Sequence, residues 1–150
     1  MYNEKDNDKK IKMLKLGYGT ISKSEQKCFD ILQNINSNIE HKPYIVAFPD
    51  DFISMQNKVC YICDGYLKYK NLYIIFEYDG GIGKYHDEDI DLIKSEEILM
   101  VDEQVLGIIR IQESLFKNYD KILHEGGLEG IFKNAINDII TCKEQIIILK

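Results

Sequence analysis

The chain has 150 residues, 45% of them hydrophobic and 29% charged, with a formal net charge of −6. That length suits one domain around one core, the apolar fraction is too high for a disordered chain, and no apolar run approaches the roughly 18–20 residues of a membrane span. Composition therefore excludes the membrane, fibrous and disulfide-scaffold classes. Met1–Lys10 is polar with no apolar h-region, so secretion is not expected and an intracellular setting is. Ile, Lys, Asn, Asp and Tyr are heavily used, while only one of the 19 basic residues is an arginine, Arg110. A chain that so prefers lysine draws attention to its one guanidinium, whose planar fork does what an ammonium cannot. The acidic balance argues against non-specific nucleic-acid binding over a basic surface, although a local basic groove is compatible with it.

Residues 1–15 read as a flexible lysine-rich arm, and 16–150 as a single domain. Apolar positions recur at helical spacing from Ser22 to about Ile35, and Ser22 with Glu25 three residues later has the capping-box pattern. The polar segment Asn34 to Lys42 reads as a loop. Pro43 opens a short strand, Tyr44 to Phe48, closed by Pro49-Asp50-Asp51. Two longer strands follow, near Val59–Lys68 and Leu72–Tyr78, joined closely enough at Tyr69-Lys70-Asn71 to form a hairpin. Asp79-Gly80-Gly81-Ile82-Gly83 is a glycine-rich break. Asp87 to about Met100 reads as a helix whose acidic first turn suits the helix dipole. Val105–Ile111 is a buried strand. Leu115–Leu123 and Leu128 to about Cys142 read as one or two amphipathic helices. This order is that of an α/β domain with a small sheet between helices.

Four cysteines, Cys28, Cys60, Cys63 and Cys142, are expected as reduced thiols. Cys60 and Cys63 have zinc-like C-x-x-C spacing, but residues three apart on a strand point to opposite faces, so buried strand cysteines are the expectation. The carboxylates are more informative. Glu77 and Asp79, two apart on one strand, share a face, and a hairpin brings Asp64 beside them. Clustered carboxylates repel unless a proton or cation neutralises them, and a hard divalent cation with oxygen ligands is the natural occupant. Such an ion lowers the pKa of bound water and steadies charge building on a phosphate. The alternative is that these acids simply cap strands and line loops.

The segment Cys63 to Gly80, with Asp64 and Glu77-Tyr78-Asp79-Gly80, then His86, Asp91-Leu92-Ile93-Lys94 and Ile109-Arg110-Ile111, resembles the core of PD-(D/E)XK nucleases. More narrowly it is similar to their short-patch-repair-like branch, found in phages, mobile introns and large DNA viruses. The Ser24-Glu25 helix resembles the family's first helix, so the likeness spans about residues 20–112. It implies a restriction-endonuclease-like core, a small mixed β-sheet flanked by helices in α-β-β-β-α-β order, with C-terminal helices added. It also implies metal-dependent hydrolysis of phosphodiester bonds in DNA, with Mg²⁺ or Mn²⁺ as cofactor, and a viral or phage origin.

Carried over residue by residue, the resemblance makes Asp64 and Glu77 metal ligands. Asp79 occupies the place of the lysine in E-x-K, where it binds metal or orients His86 as a base. Lys94, or less readily Lys84, supplies the positive charge for the transition state. Arg110 holds a phosphate bidentately, the other reading being that it neutralises an acid structurally, and Glu25 reaches the metal through a water. Pro49-Asp50 is a literal Pro-Asp, but its turn context and long gap to Glu77 favour Asp64 as the motif acid. Tyr44, Tyr61, Tyr66, Tyr69 and Tyr73 suit base stacking or simply strands. Two other functions stay open. One is a catalytically inactive nuclease-fold module binding nucleic acid or a protein partner. The other is an accessory protein that binds a host protein through its Ile-rich C-terminal helices. Oligomeric state is open, a dimer included.

Overall fold

The computed structural model describes residues 21–80, 87–124 and 126–150. The expected arm at 1–15, His86 and Lys84 lie outside them. Helix α1 spans Lys23–Ile35. Ser22, in extended backbone, accepts the Glu25 N–H on its hydroxyl at 3.1 Å, satisfying one of the helix's orphan donors. The Glu25 side chain does not return to Ser22 but bonds His41. One face of α1 buries Cys28, Phe29 and Leu32.

Next come strands β1 (Ile39–Glu40), β2 (Tyr44–Ala47), β3 (Cys60–Cys63), β4 (Gly65–Tyr69) and β5 (Leu72–Asp79). Helix α2 (Glu88–Val101) crosses to strand β6 (Val105–Gln112), and a 3₁₀ turn over Glu113–Lys117 leads to helices α3 (Tyr119–His124) and α4 (Gly127–Ile140). Strand β7 (Ile146–Leu149) ends the chain. The result is a mixed α/β fold with a five-stranded sheet, β1-β4-β5-β6-β7, and a two-stranded sheet, β2-β3. The first three strands of the larger sheet run antiparallel, whereas β6 and β7 are added in parallel. No helix among the described residues is long and apolar enough to cross a membrane.

Three expectations are corrected. The segment Asn34–Lys42 is not all loop, because Ile39 and Glu40 pair with Leu67 and Tyr66 as an edge strand. The single strand expected near Val59–Lys68 is two: β3 pairs with β2, whereas β4 pairs with β1 and β5, so the chain changes sheets at Asp64. Gly65 makes this turn feasible, since a Cβ there would fall 2.3 Å from Phe29 Cε1 and 2.6 Å from the Glu40 carbonyl oxygen. Finally, Ile146–Leu149, to which the sequence reading gave no element, pairs with Ile108–Ile111. The expected helix at Asp87–Met100 and strand at Val105–Ile111 match α2 and β6 closely.

The main sheet is buried on both faces, and the two faces differ in character. Ile74, Phe76 and Tyr78 of β5, with Ile109 and Ile111 of β6, pack with Phe29 and Leu32 of α1 and with Phe132, Ala135 and Ile139 of α4. The alternate residues Tyr73, Ile75 and Ile108 pack with Ile98 of α2 and with Tyr44, Val46, Tyr61 and Cys63 of the small sheet. Glu77, Asp79, Arg110 and Gln112 continue this second set towards the C-terminal ends of β5 and β6. All four are buried.

Candidate functional site

Strand alternation alone puts Glu77 and Asp79 on the α2 side of the sheet, and Arg110 is the direct cross-strand partner of Glu77. Asp91, Lys94 and Ser95 lie on the facing side of α2 at i, i+3 and i+4, the spacing that lines up one helix face. The charged groups expected from the sequence therefore meet at one end of the sheet.

Asp64 is tied to the Glu77–Tyr78 segment by two hydrogen bonds. The Asp64 N–H donates to Glu77 Oε1 at 3.1 Å, and the Tyr78 N–H donates to Asp64 Oδ2 at 2.8 Å. These bonds take over where the β4–β5 ladder ends at Gly65–Phe76. Lys94 Nζ donates to Glu77 Oε2 at 3.3 Å and lies 5.3 Å from the centre of the Tyr61 ring. Electrostatics separate the two carboxylates. Burial, then the charges of Glu77 and Glu25, push the Asp64 carboxyl well above its ordinary value. Burial pushes Glu77 upward too, but Lys94 and Arg110 outweigh it and hold that carboxyl below the usual range. For Lys94 burial acts downward, and the neighbouring Glu77 charge more than reverses it, so the ammonium stays charged.

Arg110 is engaged inside the protein. Its Nε and Nη2 donate to the two oxygens of Asp79 at 2.9 and 2.8 Å, its Nη1 donates to Ser95 Oγ at 3.0 Å, and Nη2 lies 3.2 Å from Asp91 Oδ1. The group is 1% exposed. The fork expected to hold a phosphate is thus turned onto Asp79 and Ser95, and Asp79, expected to bind metal or orient His86, carries the guanidinium. Burial raises the Asp79 carboxyl despite the opposing pull of Arg110.

Glu25 lies on α1, and its charge is among those that raise the Asp64 carboxyl. Its Oε2 is 2.9 Å from His41 Nε2, and the His41 ring stacks face to face on Phe29 with centroids 4.0 Å apart. His41 was missed in the sequence because it sits in a polar segment with no recognisable spacing to the other acids. Ser95 was missed as well, one position beyond the Asp91–Lys94 motif. A separate buried carboxylate, Glu97, accepts hydrogen bonds from Tyr61 Oη, Ser54 Oγ and the Met55 N–H, tying the loop after β2 to α2. Cys60 and Cys63 alternate in burial along β3, as a strand requires. Burial and the Glu77 charge push the Cys63 thiol up. Tyr44, Tyr61 and Tyr73 are buried in the core, while Tyr66 and Tyr69 are partly exposed.

Among the described residues no group of three or more His, Cys, Asp or Glu side chains converges in a metal-chelating arrangement. Asp64 and Glu77 offer hard carboxylate oxygens, and the rise that burial, then the charges of Glu77 and Glu25, impose on the Asp64 carboxyl is one that a neighbouring cation would oppose. Mg²⁺ is commonly held by one or two carboxylates, with water and substrate phosphate completing its shell. No family model, curated protein or solved structure matches this chain.

Proposed function

We propose that this protein is a divalent-cation-dependent endodeoxyribonuclease with a restriction-endonuclease-like core. The observation that carries the reading is the convergence of Asp64, Glu77 and Lys94 near the end of β5, where its ladder with β4 has stopped. The larger sheet supports it: with β2 and β3 set aside as a separate two-stranded sheet, α1, the antiparallel strands β1, β4 and β5, helix α2 and parallel β6 give an α-β-β-β-α-β order like the one the family resemblance implies. Crevices beyond the carboxyl ends of parallel strands are also where α/β sheets favour ligands.

In this reading Asp64 and Glu77 hold Mg²⁺ or Mn²⁺, which when bound supplies charge to a phosphodiester and acidifies water. Lys94, kept cationic by Glu77, stands beside the carboxylates to balance charge growing on the phosphorus oxygens. Asp79 and Arg110 brace the floor of the site, fixing the end of β5 against β6 and α2. DNA is the partner. A second reading, an inactive nuclease-fold module binding nucleic acid or a protein, is favoured by the Arg110–Asp79 pair, since it leaves a neutralised ion pair where an E-x-K nuclease carries its lysine.

The test combines calorimetric titration of Mg²⁺ and Mn²⁺ with nicking of supercoiled plasmid. Asp64→Asn keeps an acceptor for the Tyr78 N–H, and Lys94→Met removes the cation. Wild type is expected to bind ion and nick DNA. Each variant should lose about 10²–10³-fold in rate, the range seen when one transition-state contact is removed, and Asp64→Asn should weaken ion binding as well. Absence of both binding and nicking in wild type would refute the nuclease and leave the inactive module.

A further inference from the structure

The Glu25–His41 pair is the polar cluster beside the site that the scheme above leaves unused. Glu25 and Phe29 are four residues apart on α1 and so share a face. His41 follows β1, and continuing the antiparallel pairing of Glu40 with Tyr66 sets it opposite Gly65, next to Asp64. Phe29 stacks on the His41 ring, and its Cε1 is the atom closest to where a Gly65 Cβ would stand. Helix α1, the end of β1 and the turn at Asp64 thus close on one another, with Glu25 near enough for its charge to act on Asp64. The His41 side chain is 9% exposed and that of Glu25 17%, so the pair is largely shielded yet retains a path to solvent.

We infer that His41 is a positioning residue for Glu25, and that Glu25 takes the proton of the attacking water. The inference rests on the nuclease reading. His41 donates from Nε2 to Glu25 Oε2, which fixes the carboxylate and leaves Oε1 to take the proton. One O–H bond of water breaks and its proton goes to Glu25. The water oxygen forms the new P–O bond as the P–O bond to the leaving sugar oxygen breaks. That oxygen takes a proton from solvent, and Glu25 returns its own proton to solvent. Glu40 and Lys42, which flank His41, pair with each other at 3.6 Å.

The experiment measures plasmid nicking and Mn²⁺ binding for wild type, His41→Leu and His41→Gln, with thermal melts to verify folding. Leucine removes the donor, whereas glutamine restores an N–H at similar reach. His41→Leu is expected to lower kcat about 10–100-fold, as loss of outer-shell partners does, with KM and Mn²⁺ affinity unchanged, and His41→Gln to recover most of the loss. If wild type nicks DNA and His41→Leu matches it, or loses only KM or Mn²⁺ affinity, the inference falls and the nuclease stands. If His41→Gln fails to rescue a folded His41→Leu defect, the donor role is likewise overturned. No nicking by wild type overturns both.

Discussion

Replacing Arg110 with methionine separates a buried brace from a phosphate-binding group. The side chain makes two hydrogen bonds to Asp79 and one to Ser95, and it lies in a site where it is 1% and Asp79 2% exposed. Methionine fills much of the same volume but strands the Asp79 carboxylate. Removing one partner of a buried ion pair costs about 3–5 kcal/mol, against roughly 5–15 kcal/mol for a whole domain. At about 2–4 °C per kcal/mol for a chain of this size, the melting temperature should fall by roughly 6–20 °C. The cost should also depend on pH. Burial already raises the Asp79 carboxyl, and Arg110 opposes that rise. Without Arg110 the carboxyl rises further, so folding takes up a proton. A carboxyl raised in the folded state favours folding at pH below its unfolded value, and that advantage is lost as pH climbs through the folded value. The gap between wild type and Arg110→Met, read by urea unfolding with circular dichroism, should therefore be widest near neutral pH and narrow as pH falls towards about 4, the ordinary aspartate value. Adding Asp79→Leu should recover part of the loss, because an apolar pair replaces a stranded charge. A cost below about 1 kcal/mol, or a gap independent of pH, would refute the reasoning.

Two further outcomes follow from the same geometry. Asp64→Asn should stabilise the protein by about 0.5–2 kcal/mol near neutral pH, the gain typical of relieving a functional site. Asp64's raised carboxyl loses its stabilising proton as pH rises, whereas asparagine cannot ionise, so the advantage should grow from pH 5 to pH 8 (roughly the span above the ordinary aspartate value); equal or lower stability at pH 8 in thermal melts would refute it. Gly65→Ala should cost about 1–3 kcal/mol, as forced overpacking does, because the Glu40 carbonyl it meets belongs to backbone; an unchanged urea midpoint would show that β1 yields there.

Much of the fold was legible because it follows from local rules. The Ser22 cap, the alternation through β5 and the acidic start of α2 all sit in short windows of sequence. The pairing of Asp64 with Glu77 was legible too, since a hairpin fixes neighbours thirteen positions apart. What the sequence hid was set by partners far along the chain. A run such as Val59–Lys68 reads as one strand, because nothing within it reveals that its halves pair with different sheets. Ile146–Leu149 becomes a strand only because β6 offers a free edge. Arg110 was recognised as unusual, but its partner depended on the packing of α2, which brings Ser95 and Asp91 to the guanidinium. His41 carried no local signal, as its meaning lies in Phe29 and Glu25 on another element.

The Arg110–Asp79 contact also bears on how the parallel strands find their alignment. Val105–Ile111 is apolar on both faces apart from Arg110, and an all-apolar strand slides past its neighbour with little to choose between offsets. A shift of one residue turns every side chain to the opposite face. Such a slip would drive Arg110 into the largely apolar layer of Phe29, Phe132 and Ile139, away from Asp79 and Ser95. The desolvation cost of a lone guanidinium there makes the slipped sheet prohibitive. One arginine in a lysine-rich chain thereby selects a single offset for β6 against β5, and the carboxylates of the site inherit their spacing from that choice.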